Sequence, residues 1–201
     1  MFYRPKDGHG LPHNPFNAIV SPRPIGWIST RGSDGRDNLA PYSFFNAVAY
    51  TPPQVMFASI GNKPDRDGAK DSLAHIRETG VFACNVVSLA LAKQMNDSSG
   101  SWTADTDEFE LTGLEKGQCD TIDCPYVVAA PAVLECELRQ IVPLEGTYNT
   151  AVFGEVVGVR IDEACLRDGQ FDVTTFNPVS RLGYRDFAAV TELFSMDRPG
   201  E

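Results

Sequence analysis

The stretch from Asn38 to Gly61, NLAPYSFFNAVAYTPPQVMFASIG, constrains this chain more than any other. It reads as two apolar, aromatic-rich strands joined across Pro52-Pro53. Tyr42, Phe44, Phe45, Tyr50, Val55, Met56, Phe57 and Ile60 supply bulk that suits buried strands. Ser43, Asn46, Ser59 and Gly61 interrupt that bulk. A polar group inside a buried run costs free energy unless it is partnered. Small or hydrogen-bonding residues there therefore mark a place where a ligand or another backbone comes close.

The remaining sequence supports a sheet around that pair. IGWISTRG (Ile25 to Gly32) is a strand, Ser33-Asp34-Gly35 a turn, and the chain re-enters the sheet at Asn38, so Ile25 to Ala49 reads as a hairpin. NKPDRDGAK after Gly61 is a polar loop. DSLAHIRETG follows as a short helix, capped by Asp71 or Ser72 and stopped by Gly80. VFACNVVS (Val81 to Ser88) is a strand and LALAKQMND a short amphipathic helix. Ser98 to Cys124 is polar, acidic and glycine-containing, which predicts a mobile loop or lid. Pro131 to Gly146 and Thr150 to Glu163 form the longest strand pair, an antiparallel hairpin. Strands outnumber helices and β-α-β alternation is absent, so an antiparallel barrel fits better than a doubly wound sheet. No repeat or linker divides the chain, which is expected to be one domain over 1–201, with an extended lead-in at 1–15.

Composition sets limits on partners. A formal charge of −10 and a pI near 4.7 oppose a nucleic-acid or anionic-membrane surface, so any bound phosphate must be held by local donors. No apolar run reaches the roughly 18–20 residues of a membrane span. MFYRPKDGHGLPHNPF places prolines and charges where a secretory leader needs an apolar region, so the expectation is a cytoplasmic protein. Cys84, Cys136 and Cys165 sit among apolar neighbours and read as buried thiols. Cys119 and Cys124 bracket a loop with no histidine partners, and His9 and His13 lack further ligands, so no metal site is expected.

The chemistry points to one region. Neither a dinucleotide fingerprint nor a Walker loop nor a serine nucleophile elbow is present. His75 lies on the DSLAHIRETG helix, at the surface or against the sheet. Lys70-Asp71-Ser72 places a cation and a hydroxyl at a helix start, where an anion is favoured. On the tripeptide alone the plain reading is an N-cap by Asp71 beside a solvated Lys70. Asp71 would repel a phosphate unless its charge is spent on backbone amides. The aromatic, serine-bearing strands upstream shift the balance. An aromatic sheet edge followed by a phosphate-sized anion site is what a flavin mononucleotide (FMN) needs.

SPRPIGWIST (Ser21 to Thr30), the Asn38–Gly61 stretch, KDSLAHIRETGVFACNV (Lys70 to Val86), FGEVVGVRID and VSRLGY together resemble the flavin-reductase-like family. That family comprises FMN-binding split-barrel proteins, among them flavoredoxin and the reductase components of two-component monooxygenases. The resemblance runs from about Ser21 to Tyr184, and Ser98 to Pro131 is its least typical part, a variable insert. It implies a six-stranded antiparallel split β-barrel with short added helices, and a homodimer with FMN at the subunit interface.

By the same resemblance, Ser43, Phe44, Phe45 and Asn46 would line the isoalloxazine. Trp27, Ser29 and Thr30, with Ser59, Ile60 and Gly61, would border the ring and ribityl chain. Lys70, Asp71 and Ser72 match the family's phosphate-binding K-D-[ST], and Arg181 and Tyr184 would close over the flavin. The implied activity is NAD(P)H-dependent reduction of free flavin or another acceptor, in a monooxygenase or electron-transfer partnership. The alternatives are an electron carrier reduced by a partner protein and a flavin-binding protein turned to another small-molecule reaction. No catalytic side chain is singled out. Where members that use NAD(P)H efficiently often carry a histidine before F-G-E-V, this chain has Tyr148-Asn149-Thr150, which bears on the nicotinamide step more than on flavin.

Overall fold

The computed structural model describes residues 1–63 and 69–200. The expected loop after Gly61 falls mostly on 64–68, outside the described residues. A short helix α1 (Phe16–Ile19) leads into β1 (Arg23–Pro24), β2 (Gly26–Arg31), β3 (Asp37–Tyr42), β4 (Phe45–Tyr50) and β5 (Pro53–Ile60). Helix α2 (Asp71–Thr79), β6 (Val81–Asn85), α3 (Ala92–Asp97) and α4 (Glu108–Thr112) follow. Next come β7 (Lys116–Gln118), β8 (Pro125–Val127), and the long β9 (Ala132–Pro143) and β10 (Asn149–Ile161). The pairs β11 (Leu166–Arg167) with β12 (Gln170–Phe171), and β13 (Val179–Arg181) with β14 (Phe187–Ala189), complete the chain.

The main sheet is antiparallel, in the order β3-β2-β6-β9-β10-β5-β4. Its two edge strands, β3 and β4, are consecutive in the chain. Ser43 and Phe44 therefore carry the backbone from one edge to the other, and the sheet curls into a barrel split at that seam. Two register shifts in the β9–β10 ladder, at Phe153/Gly154 and Val156/Gly158, add the local bend and twist that curling requires. Strand β5 alternates as its sequence demands, with Val55, Phe57 and Ser59 buried and their neighbours outward.

Several expectations are corrected. Ile25 to Ala49 is not one hairpin: β2–β3 ends at Tyr42, and β4 pairs with β5 across the proline turn. The strand expected as one piece breaks at Ser43-Phe44, which gives the main sheet seven strands rather than six. Lys70, not Asp71 or Ser72, is the N-cap of α2, and its side chain makes no capping bond; Gly80 ends the helix in the left-handed conformation, as expected. Ser98 to Cys124 is mostly loop, as expected, with only α4 and β7 regular, but it is packed on the barrel rather than standing free as a lid. Phe109, Cys119, Ile122 and Cys124 are buried in the core beside Trp27 and Leu39. Glu135, buried on β9, accepts from Asp120 N at 3.0 Å, Thr121 N at 2.7 Å and Thr121 Oγ1 at 2.6 Å, which pins this segment to the barrel. Asn85 does the same on β6, accepting from Val127 N at 2.8 Å and donating to the Trp27 carbonyl at 2.9 Å. The polar anchors of this segment thus sit mainly on the barrel strands, while Ser98 and Glu108 are the polar residues that the segment itself buries.

The core has two clusters, one on each side of the central strands. Tyr42, Phe57 and Phe82 stack in the second, with ring centroids 4.7 and 5.6 Å apart. All five cysteines are buried free thiols, and burial pushes the Cys84 thiol up to about 12. Among the described residues, no helix is long and apolar enough to cross a membrane.

Candidate functional site

Two cavities open at the seam of the barrel, and Pro41 and Ser99 line both. The smaller, about 130 Å3, lies between the end of β3 and the start of α2. Lys70, Asp71 and Ser72 come together there with Asn38, Tyr42 and Lys63, and the insert closes it with Ser98 to Trp102 and Glu108. The Lys70 ammonium stands 5.8 Å from the centre of the Tyr42 ring. The surrounding protein displaces enough water to lower its pKa, although much of the side chain stays exposed. Asp71 forms an ion pair with Lys63, which offsets the charge that would repel a phosphate.

Ser72 is buried and donates to Asn38 Oδ1 at 2.6 Å; Asn38 in turn donates to Glu108 Oε2 at 2.9 Å. Glu108 Oε2 also accepts from Leu39 N at 3.0 Å. Burial raises the Glu108 pKa, and the charge of Asp71 adds to the effect against the bonds it accepts. Tyr42, buried at 5% exposure, has no hydrogen-bond partner of ordinary geometry for its hydroxyl among the described residues, although the Ser72 and Ser59 side chains approach it closely enough to act against the effect of burial on its pKa. Burial pushes this phenol up to about 12, so it stays a donor at neutral pH. A neutral buried donor that lines a cavity and lacks an acceptor fits a ligand oxygen.

The larger cavity, about 450 Å3, extends past Ser43 to Met95, Arg181, Arg185 and Phe187. Tyr184, between the lining residues Arg181 and Arg185 in sequence, does not itself line it; it takes φ 55°, stands edge-on to His13, and its carbonyl accepts from Arg181. Phe44 is half-buried with the Arg23 guanidinium 5.7 Å from its ring centre. Phe45 is also half-buried and packs on the second core cluster, where a Cβ at Gly26 would come within 2.6 Å of its ring. Asn46 and Ile60 are exposed, Ser59 is buried, and Gly61 takes φ 81° while its N–H donates to the Tyr148 carbonyl at 3.1 Å.

Of the fifteen expected residues only Ser43, Lys70, Asp71, Ser72 and Arg181 line these cavities; the other ten line neither, and Trp27, Ser29 and Thr30 among them turn inward. Trp27 Nε1 donates to Ser98 Oγ at 2.9 Å, Ser29 Oγ to the Pro125 carbonyl at 2.6 Å, and Thr30 Oγ1 pairs with His75 Nδ1 at 3.1 Å. Conversely, Asn38, Tyr42, Lys63, Glu108 and Arg185 belong to the cavities and were not expected there. Tyr42 carried a signal, since it directly precedes Ser43 in the interrupted strand. Glu108 carried none: its role depends on the insert folding back on β3.

A barrel split at a seam, with a lysine-bearing helix start beside it, defines a split-barrel protein, and a solved split-barrel structure from Shewanella frigidimarina shares the architecture. The model of the flavin reductase like domain matches residues 20–176, and the chain belongs to that family. A protein of Deinococcus radiodurans without assigned function is 38% identical over 84% of this chain and 75% of its own length. The 2-nitrobenzoate 2-nitroreductase of Pseudomonas fluorescens is similar at 29% identity and a TM-score of 0.81, covering 92% of this chain and 89% of that one. Component B of the nitrilotriacetate monooxygenase of Bacillus cereus is similar at 25% identity and a TM-score of 0.84, covering 94% of this chain and all of that one.

Proposed function

We propose that this protein, as a single domain, binds FMN at the seam and passes electrons from NAD(P)H to free flavin or another small acceptor. One observation carries the flavin reading. Among the described residues, a buried Tyr42 hydroxyl without a hydrogen-bond partner and the start of α2 bearing Lys70 line one cavity, and that cavity adjoins at Pro41 and Ser99 a second lined by Ser43. In this reading Lys70 and the first-turn amides of α2 hold the phosphate, and the Lys63–Asp71 pair keeps the acid from opposing it. Tyr42 donates to a ligand oxygen, while Ser72 orients Asn38 rather than the ligand. Ser43, Phe44 and Phe45 face the ring side of the site, with Asn46, Ser59, Ile60 and Gly61 on its border. Arg181 and Tyr184 form the rim. Trp27, Ser29 and Thr30 support the site through the strand they share. When bound, the flavin supplies the hydride and electron chemistry, and the protein's part is to bind, orient and shield it.

Assembly as a homodimer, with the flavin at the interface, is part of the same proposal. The edge strand β4 supports it, for Asn46 through Tyr50 are all exposed and Tyr50 is 92% exposed. A monooxygenase is the electron partner we favour.

The test is an anaerobic absorbance titration of FMN-loaded protein with NADH and then NADPH. Bleaching of the flavin band within catalytic times is the expected result and identifies the donor. Bound flavin that stays oxidised would make the protein a carrier reduced by another protein, and would agree with Tyr148 standing where a histidine is expected. Failure to bind FMN would overturn the reading altogether.

A further inference from the structure

We propose that the Arg181–Arg185 end of the larger cavity is a subsite for the carboxylate of a small aromatic ligand, the second substrate of this flavin site. The proposal rests on the flavin reading for what the ligand would lie beside, while its recognition chemistry stands on the arginines themselves.

The chain carries a net charge of −10, yet this corner collects cations. Arg23 and Arg181 face each other across the β1–β13 ladder. Arg23 is lowered by burial and then by the charge of Arg181, which reports a local positive field. Arg23 donates to the carbonyls of Asn17, Val20 and Leu182, and Arg181 to those of Tyr184 and Asp186. Carbonyls fix the guanidinium groups in place and leave their charge uncompensated. Arg31, Arg36, Arg139, Arg160 and Arg167, by contrast, all pair with carboxylates. Arg185 lines the cavity and makes no hydrogen bond or ion pair among the described residues.

The loop that presents Arg185 is held in shape. Tyr184 sits in the left-handed region, Arg181 stacks 4.4 Å from the Phe187 ring centre, and a Cβ at Gly183 would collide with Ala18. The Leu182 N–H donates to the Asp186 carbonyl at 3.0 Å, which closes the turn. The backbone therefore sets where Arg185 leaves the loop, and its exposed side chain is left free to meet a ligand in the cavity that it lines.

The rest of the cavity sets the ligand's class. Ile25, Pro41, Met95 and Phe187 offer an apolar wall to a flat body, and Ser43 with Asn96 offers small polar contacts. A volume of about 450 Å3 admits a small ligand, within the ordinary range for such sites. An arginine fork matches a carboxylate in two parallel hydrogen bonds, a geometry lysine does not reproduce. The ligand is thus an apolar ring with an anionic end. A phosphate could in principle satisfy the same cations, and the experiment separates the two.

Isothermal titration with benzoate and with benzamide, its uncharged analogue, at low salt tests the subsite. The expected result is at least about tenfold tighter binding of benzoate, as one good charge-assisted pair provides. Arg185→Ala should remove most of that ratio and Arg185→Lys should restore part of it. Equal affinity for the two ligands, or a ratio that Arg185→Ala leaves intact, overturns the proposal. Inorganic phosphate displacing benzoate at equal or lower concentration also overturns it, by assigning the cations to a phosphate. The titration is run on flavin-free and on FMN-loaded protein. A preference for benzoate without any FMN binding would sustain the subsite and reject the flavin reading, so the two fail separately.

Discussion

Ser72 spends its proton on Asn38 Oδ1, which separates its role from that of Lys70 next door. Lys70→Ala removes a charge from the cavity mouth and should weaken FMN binding by about 1.5–3 kcal/mol, the range for a hydrogen bond to a charged group. Quenching of flavin fluorescence measures this, and an unchanged affinity would move the phosphate elsewhere. Ser72→Ala should act first on stability, since it leaves a buried Asn38 oxygen unsatisfied at a cost of about 1–3 kcal/mol. Urea unfolding distinguishes the two variants. Glu108 provides a pH test. A carboxyl whose folded pKa is raised binds its proton more tightly folded than unfolded, so its contribution to stability falls as pH rises through the folded value. The hydrogen bonds it accepts from Asn38 and Leu39 both end on one oxygen, and the carbonyl of a glutamine can accept both. Glu108→Gln should therefore match the wild type near about pH 4 and gain on it towards about pH 7. A difference that stays constant across this range would count against a titrating Glu108. At this scale the sequence disclosed Lys70-Asp71-Ser72 by its position at a helix start. Tyr42 was marked there only by its place before Ser43, and it took packing to bury its hydroxyl beside the cavity.

The long hairpin β9–β10 was legible because β-branched residues on both sides of a turn have few other ways to bury themselves. The proline turn between β4 and β5 was legible for the same reason, with Pro52-Pro53 marking the corner. The break at Ser43-Phe44 was not, because an apolar run looks continuous whether it stays on one edge of a sheet or crosses to the other. Gly154 shows how closely the elements meet. A Cβ there would overlap the Phe82 ring and come within 3.2 Å of Cys136 Cβ. Gly154→Ala should cost about 1–3 kcal/mol, as overpacking does, and Phe82→Leu in the same chain should recover part of it. Paired urea unfolding curves check this, and additive losses would mean that the two sites do not share the strain.

Over the whole molecule, the exposed β4 edge and the proposed interface flavin make one prediction together. Sedimentation should find a dimer, and FMN binding should weaken as dilution separates the subunits. A monomer that binds FMN at full strength would place the complete site within one chain. The sequence by itself determined a β-rich barrel, two long strands, and a helix that starts beside Lys70. These follow from local pattern: alternation, turn residues and charge at a helix end act over a few positions. Only the tertiary structure decided that the insert joins the core, that Trp27, Ser29 and Thr30 turn inward, and that arginines distant in sequence gather at one cavity. Those outcomes depend on which surfaces meet when the sheet closes, and residues such as Arg23 and Arg181 become neighbours only when their strands pair.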